Sequence, residues 1–149
     1  MAAQYEVPES DVQILDGNMV ADNWAHFGPW IMSTMEYDLE PIDAVQTMQN
    51  LRADKWICLG ASVDGAMSGI AICALSYLQS CVALEVKALA GDDFDKWIEP
   101  MWSALKLTAH SHKCRRIYLR GRMGWIRRIR SYGFKPVSVT MAFDLYKAD

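Results

Sequence analysis

The chain has 149 residues, 52% of them hydrophobic, and a formal net charge of −3 at pH 7. This length and apolar content fit one packed globular domain and exclude a disordered tail. Its four cysteines are irregularly spaced and no secretory signal precedes them, so we expect free thiols in a cytoplasmic protein. We interpret residues 1–10 as a frayed end and residues 11–149 as a single domain.

Charge is distributed unevenly along the chain. Residues 101–149 carry eleven Lys or Arg and two acids, whereas residues 1–100 carry four Lys or Arg and sixteen acids. Either the basic part forms a binding face, or the two parts neutralise each other on folding. The overall acidic charge disfavours a general nucleic-acid binder, so nucleic acid is a partner that we do not favour.

A stretch of twenty uncharged residues separates Asp64 from Glu85, and twenty residues are enough to cross a bilayer. Serines, a glutamine and two glycines dilute this stretch, and the pair Asp64-Gly65 is typical of a hairpin turn. We therefore expect strands here and no membrane span.

The first third of the chain predicts one strand and two helices. Residues 12–15 predict a short edge strand, and apolar residues at helical spacing predict a helix over residues 18–35. Pro29 should kink that helix or split it in two. Pro41 suits the first turn of a second helix. The buried stripe of this second helix would be Ile42, Val45, Met48 and Leu51.

From residue 56 onwards the pattern becomes that of a sheet. Residues 56–62 and 67–78 flank a turn at residues 63–65 and predict a β-hairpin. Residues 82–90 predict a third strand. These three strands would form an antiparallel meander.

The last third alternates helices and strands. A helix of about five turns follows the meander, and strands are predicted at Arg116–Leu119 and Val137–Leu145, with a helix at Met123–Ser131 between them. The apolar stripe of the long helix is Phe94, Trp97, Ile98, Met101, Trp102, Leu105 and Ala109. The complete order, β-α-α-β-β-β-α-β-α-β, predicts an α/β fold with a mixed sheet and helices on both faces.

The segment Arg115–Phe134, RRIYLRGRMGWIRRIRSYGF, combines a strand, a Gly-marked turn, a basic helix and a Gly-Phe stop. With the element order over residues 11–146, it resembles the GNAT N-acetyltransferases. It is also similar to small GNAT-like proteins of tailed bacteriophages. The resemblance implies acetyl-CoA as the cofactor of an active member, and a strand at 82–90 that exposes backbone groups to the pantetheine arm.

The resemblance also implies a loop that holds the cofactor's pyrophosphate with backbone amides at a helix start. Here residues 89–95 read LAGDDFD, with one glycine and three carboxylates. We expect these carboxylates to repel the ligand and to cap the amides themselves. The candidate cofactor-binding residues are Val86, Ala88, Gly91, Asp92, Asp93, Arg120 and Arg122.

Two catalytic positions follow from the same resemblance. Glu85 would be the general base that takes a proton from a substrate amine. The other interpretation is that it pairs with Lys87 on the same strand face or meets solvent. The family's frequent tyrosine, four residues before the Gly of Gly-Phe, corresponds to Ile129, and we expect Tyr132 to point to a different side of the helix. The Asn that often begins this helix corresponds to Arg122.

Two other clusters have residue types that suggest a site. His110, His112 and Cys114 are suitable metal-ligand types, but residues two apart on a helix do not share a face, so we expect no metal. A surface for a protein partner or a second copy of the chain is expected at Arg127, Arg128, Arg130, Trp24 and Trp30.

Two functions stay open at this point. The first is an accessory or assembly protein of phage type, with a degenerate acetyl-CoA loop, which acts through protein contacts in the host cytoplasm or the virion. The second is an acetyl-CoA-dependent N-acetyltransferase that uses Glu85 as its base. The sequence alone favours the first, because of the acidic loop and the missing tyrosine.

Overall fold

The computed structural model describes residues 10–35, 42–119, 124–137, 141 and 143–146. The strands are β1 (Ser10–Leu15), β2 (Ile57–Val63), β3 (Ala66–Tyr77), β4 (Val82–Gly91) and β5 (Arg116–Leu119). The helices are α1 (Gly17–Asp22), α2 (Trp24–Met35), α3 (Ala44–Arg52), α4 (Phe94–Ser111) and α5 (Gly124–Ile129), and a 3-10 turn (Arg130–Tyr132) follows α5.

The strands form one mixed sheet in the order β1-β2-β3-β4-β5. The first four pair antiparallel and β5 pairs parallel to β4. The predicted hairpin is confirmed: β2 and β3 are joined by Asp64 and Gly65, both at positive φ (51° and 83°). Two such residues make a turn whose twist matches that of the strands it joins.

Helices cover both faces of the sheet, as predicted. On one face, Trp97, Met101 and Leu105 of α4 are buried against one side of the strands. On the other face, Phe27 and Ile31 of α2 are buried in a second core cluster. Since side chains alternate along a strand, β2, β3 and β4 contribute buried residues to both clusters. Over the described parts of the chain, no helix is both long and apolar enough to cross a membrane.

The helix predicted over residues 18–35 is split, but at Asn23 and not at Pro29. The side-chain amide of Asn23 donates to the carbonyl of Met19 at 2.8 Å, a local bond of the kind that ends helices. Pro29 lies inside α2, where its missing N–H removes one helical hydrogen bond.

The buried stripe predicted for α3 is wrong in part. The helix begins at Ala44, and Val45 is exposed while Leu51 and Thr47 are buried. Thr47 can be buried because its hydroxyl donates to the carbonyl of Asp43 at 2.8 Å, which satisfies its polar atom. Pro41 lies outside the described residues.

The last predicted strand is not found among the described residues of its range. Val137, Met141, Phe143, Asp144 and Leu145 form no strand, and their side chains are exposed. Alternating apolar residues produce a strand only where a neighbouring strand supplies hydrogen-bond partners, and none of these five pairs with β5. In the described part of the chain, the sheet therefore ends at β5.

Candidate functional site

The candidate site begins where β4 and β5 stop pairing. Among the described residues, the parallel ladder joins four residue pairs, the last of which is Val86 opposite Leu119. β5 is described as far as Leu119, whereas β4 continues to Gly91. Among the described strands, the β4 segment 88–91 pairs with β3 alone. We call the other edge of this segment, which has no strand partner among the described residues, the seam.

A β-bulge lies at the start of the seam. Val86 pairs with Cys73 of β3 and Ala88 pairs with Ile72, so Lys87 is an extra residue on β4. A bulge bends its strand and increases the local twist. The direction of β4 therefore changes directly after its last described pair with β5.

An apolar cavity of about 10 Å³ lies on the α4 side of the seam. This volume is close to the volume that one water molecule requires. β4, α4, β5 and the α5 region all contribute to its wall. The lining residues are Val86, Leu89, Ile98, Trp102, Leu105, Leu119, Ile129, Tyr132 and Phe134. Tyr132 brings the one hydroxyl group of this set.

The expectation that Tyr132 points to a different side from Ile129 is wrong. α5 ends at Ile129, and the chain continues as the 3-10 turn that ends at Tyr132. Residues three apart eclipse each other in a 3-10 helix, so both side chains line the cavity. The one signal for this 3-10 turn in the sequence is Gly133, which ends the turn with a φ of 93°.

The loop between β4 and α4 makes a sharp turn that requires glycine. Gly91 has a φ of 148°, and a Cβ there would overlap the carbonyl oxygen of Ser68. The next amide, that of Asp92, donates to that same oxygen at 2.8 Å. The carbonyl of Asp92 in turn accepts the indole N–H of Trp97 at 2.7 Å. The loop is therefore held from both β3 and α4.

Asp93 does not cap α4, contrary to expectation. It stands at the N-cap position in the left-handed conformation (φ 55°, ψ 45°), and its side chain makes no cap hydrogen bond. An N-cap side chain normally reaches the helix amides from an extended backbone. The carboxylates of Asp92, Asp93 and Asp95 are exposed, so the loop is acidic without being closed by Asp93.

A cation from α5 lies at the start of α4. The guanidinium carbon of Arg128 is 4.6 Å from the centre of the Phe94 ring, a distance typical of a cation–π contact. Phe94 is the first residue of α4 and packs edge-on against Trp97, with 5.2 Å between ring centres. The sequence predicts a partner surface that contains Arg128 together with Arg127 and Arg130, and the latter two are exposed.

Glu85 lies on the opposite face of the sheet from the cavity. Its neighbours Leu84 and Val86 belong to the α4-side core, and strand side chains alternate between faces. The Glu85 side chain is 12% exposed; its Oε2 accepts the Ser76 hydroxyl at 3.2 Å, and its Oε1 is 3.8 Å from Lys87 Nζ. The pairing with Lys87 that was one of two interpretations is thus present.

The remaining predicted residues are dispersed. Ala88 is buried in the core on the α2 face, so it can offer backbone atoms only. Arg120 and Arg122 lie outside the described residues. Trp24 and Trp30 are half-buried and pack against that same core, which limits the apolar surface they present. In the described ranges, no group of three His, Cys, Asp or Glu could hold a metal ion.

Comparison with known sequences gives no match: no family model fits this chain, and no curated protein resembles it significantly. Solved structures do match. A predicted acetyltransferase from Clostridium acetobutylicum with acetyl-CoA has a TM-score of 0.67 and 10% identity, over 92% of this chain and 97% of that chain. AAC(6')-Iy, in complex with the bisubstrate analogue CoA-S-monomethyl-acetylneamine, has a TM-score of 0.65 and 14% identity, over 93% and 99%.

A third match is the ribosomal-protein-alanine N-acetyltransferase from Brucella melitensis biovar Abortus 2308, with a TM-score of 0.64 and 16% identity, over 94% of this chain and 100% of that chain. The chain has the GNAT acetyltransferase fold. Identities this low show the fold alone. What a protein with this GNAT fold does must be argued from its site.

Proposed function

We propose that this protein binds acetyl-CoA at the seam and transfers the acetyl group to an amine. The proposal is carried by the β4 segment 88–91, which leaves β5 behind and leads into the start of α4. Strand backbone groups without a β5 partner can bond an amide-containing arm, and helix amides can bond a diphosphate. Bound acetyl-CoA would supply an acetyl thioester beside this edge.

The acidic loop weakens such binding without preventing it. Two unit charges 8 Å apart in water repel each other by about 0.5 kcal/mol, and physiological salt reduces this further. For three exposed carboxylates facing a diphosphate, we estimate a loss of affinity of about tenfold. That loss is small beside the affinity that backbone bonds and apolar contacts can provide.

Arg128 partly offsets the loop. Its stacking on Phe94 holds a permanent positive charge at the first residue of α4. In the sequence, Asp93 and Asp95 flank Phe94. A guanidinium binds phosphate oxygens well because its N–H groups are planar and always charged. We assign Arg128, together with the α4 amides, to the phosphate end of the ligand.

Glu85 and Tyr132 receive the two proton-transfer roles. They lie on opposite faces of the sheet. A ligand that passes through the seam would contact both side chains. Glu85 would accept a proton from the amine on the α2 face. Tyr132 would donate its phenolic proton on the α4 face, where a thiolate leaves.

Binding is tested first. The purified protein is titrated with acetyl-CoA and with free CoA, and binding is measured by the melting temperature and by equilibrium dialysis. We expect both ligands to raise the melting temperature. Replacing Asp92, Asp93 and Asp95 with Asn should increase affinity about tenfold at low salt and less at high salt. No binding by the wild type or the triple variant would refute the proposal.

The matched control is Asp54→Asn. Asp54 is also exposed and left-handed, with a φ of 55°, but it precedes β2 and not α4. We expect it to leave affinity unchanged. An equal gain in this control would mean that overall charge, and not the loop, sets the affinity.

Catalysis is tested with Tyr132→Phe and Glu85→Gln. Loss of a general acid or base typically lowers kcat by roughly a hundredfold or more, and both substitutions preserve side-chain volume. We expect acetyl-CoA affinity to change little in either variant. An active wild type whose kcat survives both substitutions would refute these roles while leaving binding intact.

A second candidate function is a protein contact, which the charge distribution supports. Arg127 and Arg130 are exposed on the last turns of the α5 region, and the exposed acids of the β4–α4 loop offer the opposite charge. We propose that a partner or a second copy of the chain binds this basic surface, as in an accessory protein of the phage type. Reversing both arginines to Glu should abolish a salt-sensitive complex seen by sedimentation. Unchanged assembly would refute this use of the surface.

A further inference from the structure

Two cysteines, Cys81 and Cys114, lie just before the paired residues of β4 and β5. In the parallel ladder, residue n of β4 faces residue n + 33 of β5, as Ala83 faces Arg116. Cys81 and Cys114 continue this register by two residues. The amide of Arg115 donates to the carbonyl of Val82 at 2.9 Å. The two segments are therefore still hydrogen-bonded at the residues that follow the two cysteines.

The general spacing of paired strands is compatible with a disulfide. Neighbouring strands lie about 4.8 Å apart, which falls in the range of roughly 4.4–6.8 Å that Cα atoms span in disulfides. Both cysteines are held locally: the carbonyl of Cys81 accepts the Leu78 amide at 2.9 Å, and the amide of Cys114 donates to the Ala109 carbonyl at 2.8 Å.

The other two cysteines contrast with this pair. Cys58 and Cys73 are buried, and burial raises the pKa of each thiol to about 12, so both stay protonated and unreactive at neutral pH. Cys81 and Cys114 are free and partly exposed. Burial raises the pKa of Cys114, and the Cys81 thiol adds to the rise, as expected for two sulfurs within electrostatic reach.

We propose that Cys81 and Cys114 form an intramolecular disulfide when the protein meets a low-molecular-weight disulfide such as oxidised glutathione. One cysteine thiolate attacks the small disulfide, forms a mixed disulfide and releases one small thiol. The second thiolate attacks the protein sulfur of the mixed disulfide and releases the other small thiol. Two protein thiols are oxidised, one small disulfide is reduced, and the released thiols take up the two protons.

The bond ties together the starts of the two strands that separate at the seam. It closes a loop that contains the whole of α4, and closing a loop restricts the unfolded chain. We therefore expect the oxidised protein to be more stable, with the start of the β4–β5 pair fixed.

The experiment treats the purified full chain with oxidised glutathione, alkylates the remaining thiols and maps the peptides by mass spectrometry. We expect a monomer whose mass is lower by two hydrogens, with Cys81 linked to Cys114. The melting temperature should rise by about 5–10 °C and return to its original value on reduction.

Cys81→Ser and Cys114→Ser are matched controls, since each leaves one thiol of the pair and neither removes a fully buried side chain. Both variants should keep a glutathione adduct and show no rise in melting temperature. A stable double adduct without the internal bond, a bond to Cys58 or Cys73, or a disulfide-linked dimer would overturn the proposal. The outcome is independent of acetyl-CoA binding.

Discussion

Three described helices, α1, α3 and α4, have an aspartate at the N-cap position, and the starts of α3 and α4 differ most clearly. At α3, Asp43 is extended (φ −81°, ψ 175°), its carboxylate accepts the Gln46 amide at 2.8 Å, and the Gln46 side chain accepts the Asp43 amide at 3.3 Å. At α4, Asp93 is left-handed and its side chain caps nothing. Aspartate therefore caps the start of α3 but leaves the start of α4 without a side-chain cap.

The backbone before each helix accounts for the difference. Gly91 and the bond from Asp92 to Ser68 turn the chain sharply off β4, and Asp93 completes that turn at positive φ. A non-glycine residue in this conformation costs about 1 kcal/mol. The α4 start beside the seam is thus less stabilised locally than the α3 start, as expected where amides serve a ligand.

Gly91→Ala should have the largest effect on this contrast. The added Cβ would overlap the Ser68 carbonyl oxygen, and the φ of 148° is strained for alanine, so we expect a loss of about 3 kcal/mol in the free energy of unfolding. Urea titration measures it. Gly65→Ala is the control, because Gly65 also has positive φ but its Cβ would meet open space; it should cost about 1 kcal/mol. Equal losses would show that the Ser68 contact is unimportant.

The next largest effect compares the two aspartates directly. Asp43→Ala removes a formed capping box and should lower the free energy of unfolding by about 1 kcal/mol. Asp93→Gly removes no cap and relieves a positive φ, so we expect a change within about 0.5 kcal/mol. Chemical denaturation of both variants decides. If Asp93→Gly destabilised the protein as much as Asp43→Ala, the α4 start would be capped in solution.

The elements that the sequence predicted well are those that depend on local pattern. The stripe of Trp97, Met101 and Leu105 follows helical spacing over roughly two turns, and Asp64-Gly65 favours one turn type. Both are found as expected. The sequence predicts the helix break at Pro29, because proline is the stronger helix breaker by rule. The break lies at Asn23 instead, where a local hydrogen bond ends α1.

The site was harder to predict because it depends on packing between distant segments. The Arg128–Phe94 contact joins residues far apart in sequence and requires α5 to lie against α4. Tyr132 reaches the cavity through a change from α to 3-10 geometry, and Asp93 fails to cap because of Gly91. None of these has a periodic signal. The fold class and the position of the loop were predictable, whereas the direction of its side chains was not.

The smallest effect concerns affinity at the α4 start. If this start binds phosphate, Arg128→Gln should raise the Kd for acetyl-CoA about fivefold, or roughly 1 kcal/mol, and should flatten its salt dependence. Arg130→Gln is the matched control, since it removes the same charge from the next turn, where Arg130 is exposed. Calorimetric titration at two salt concentrations measures both. Equal losses would indicate a diffuse field from the basic segment, and no loss in either would remove Arg128 from the site and leave the α4 amides as the phosphate contact.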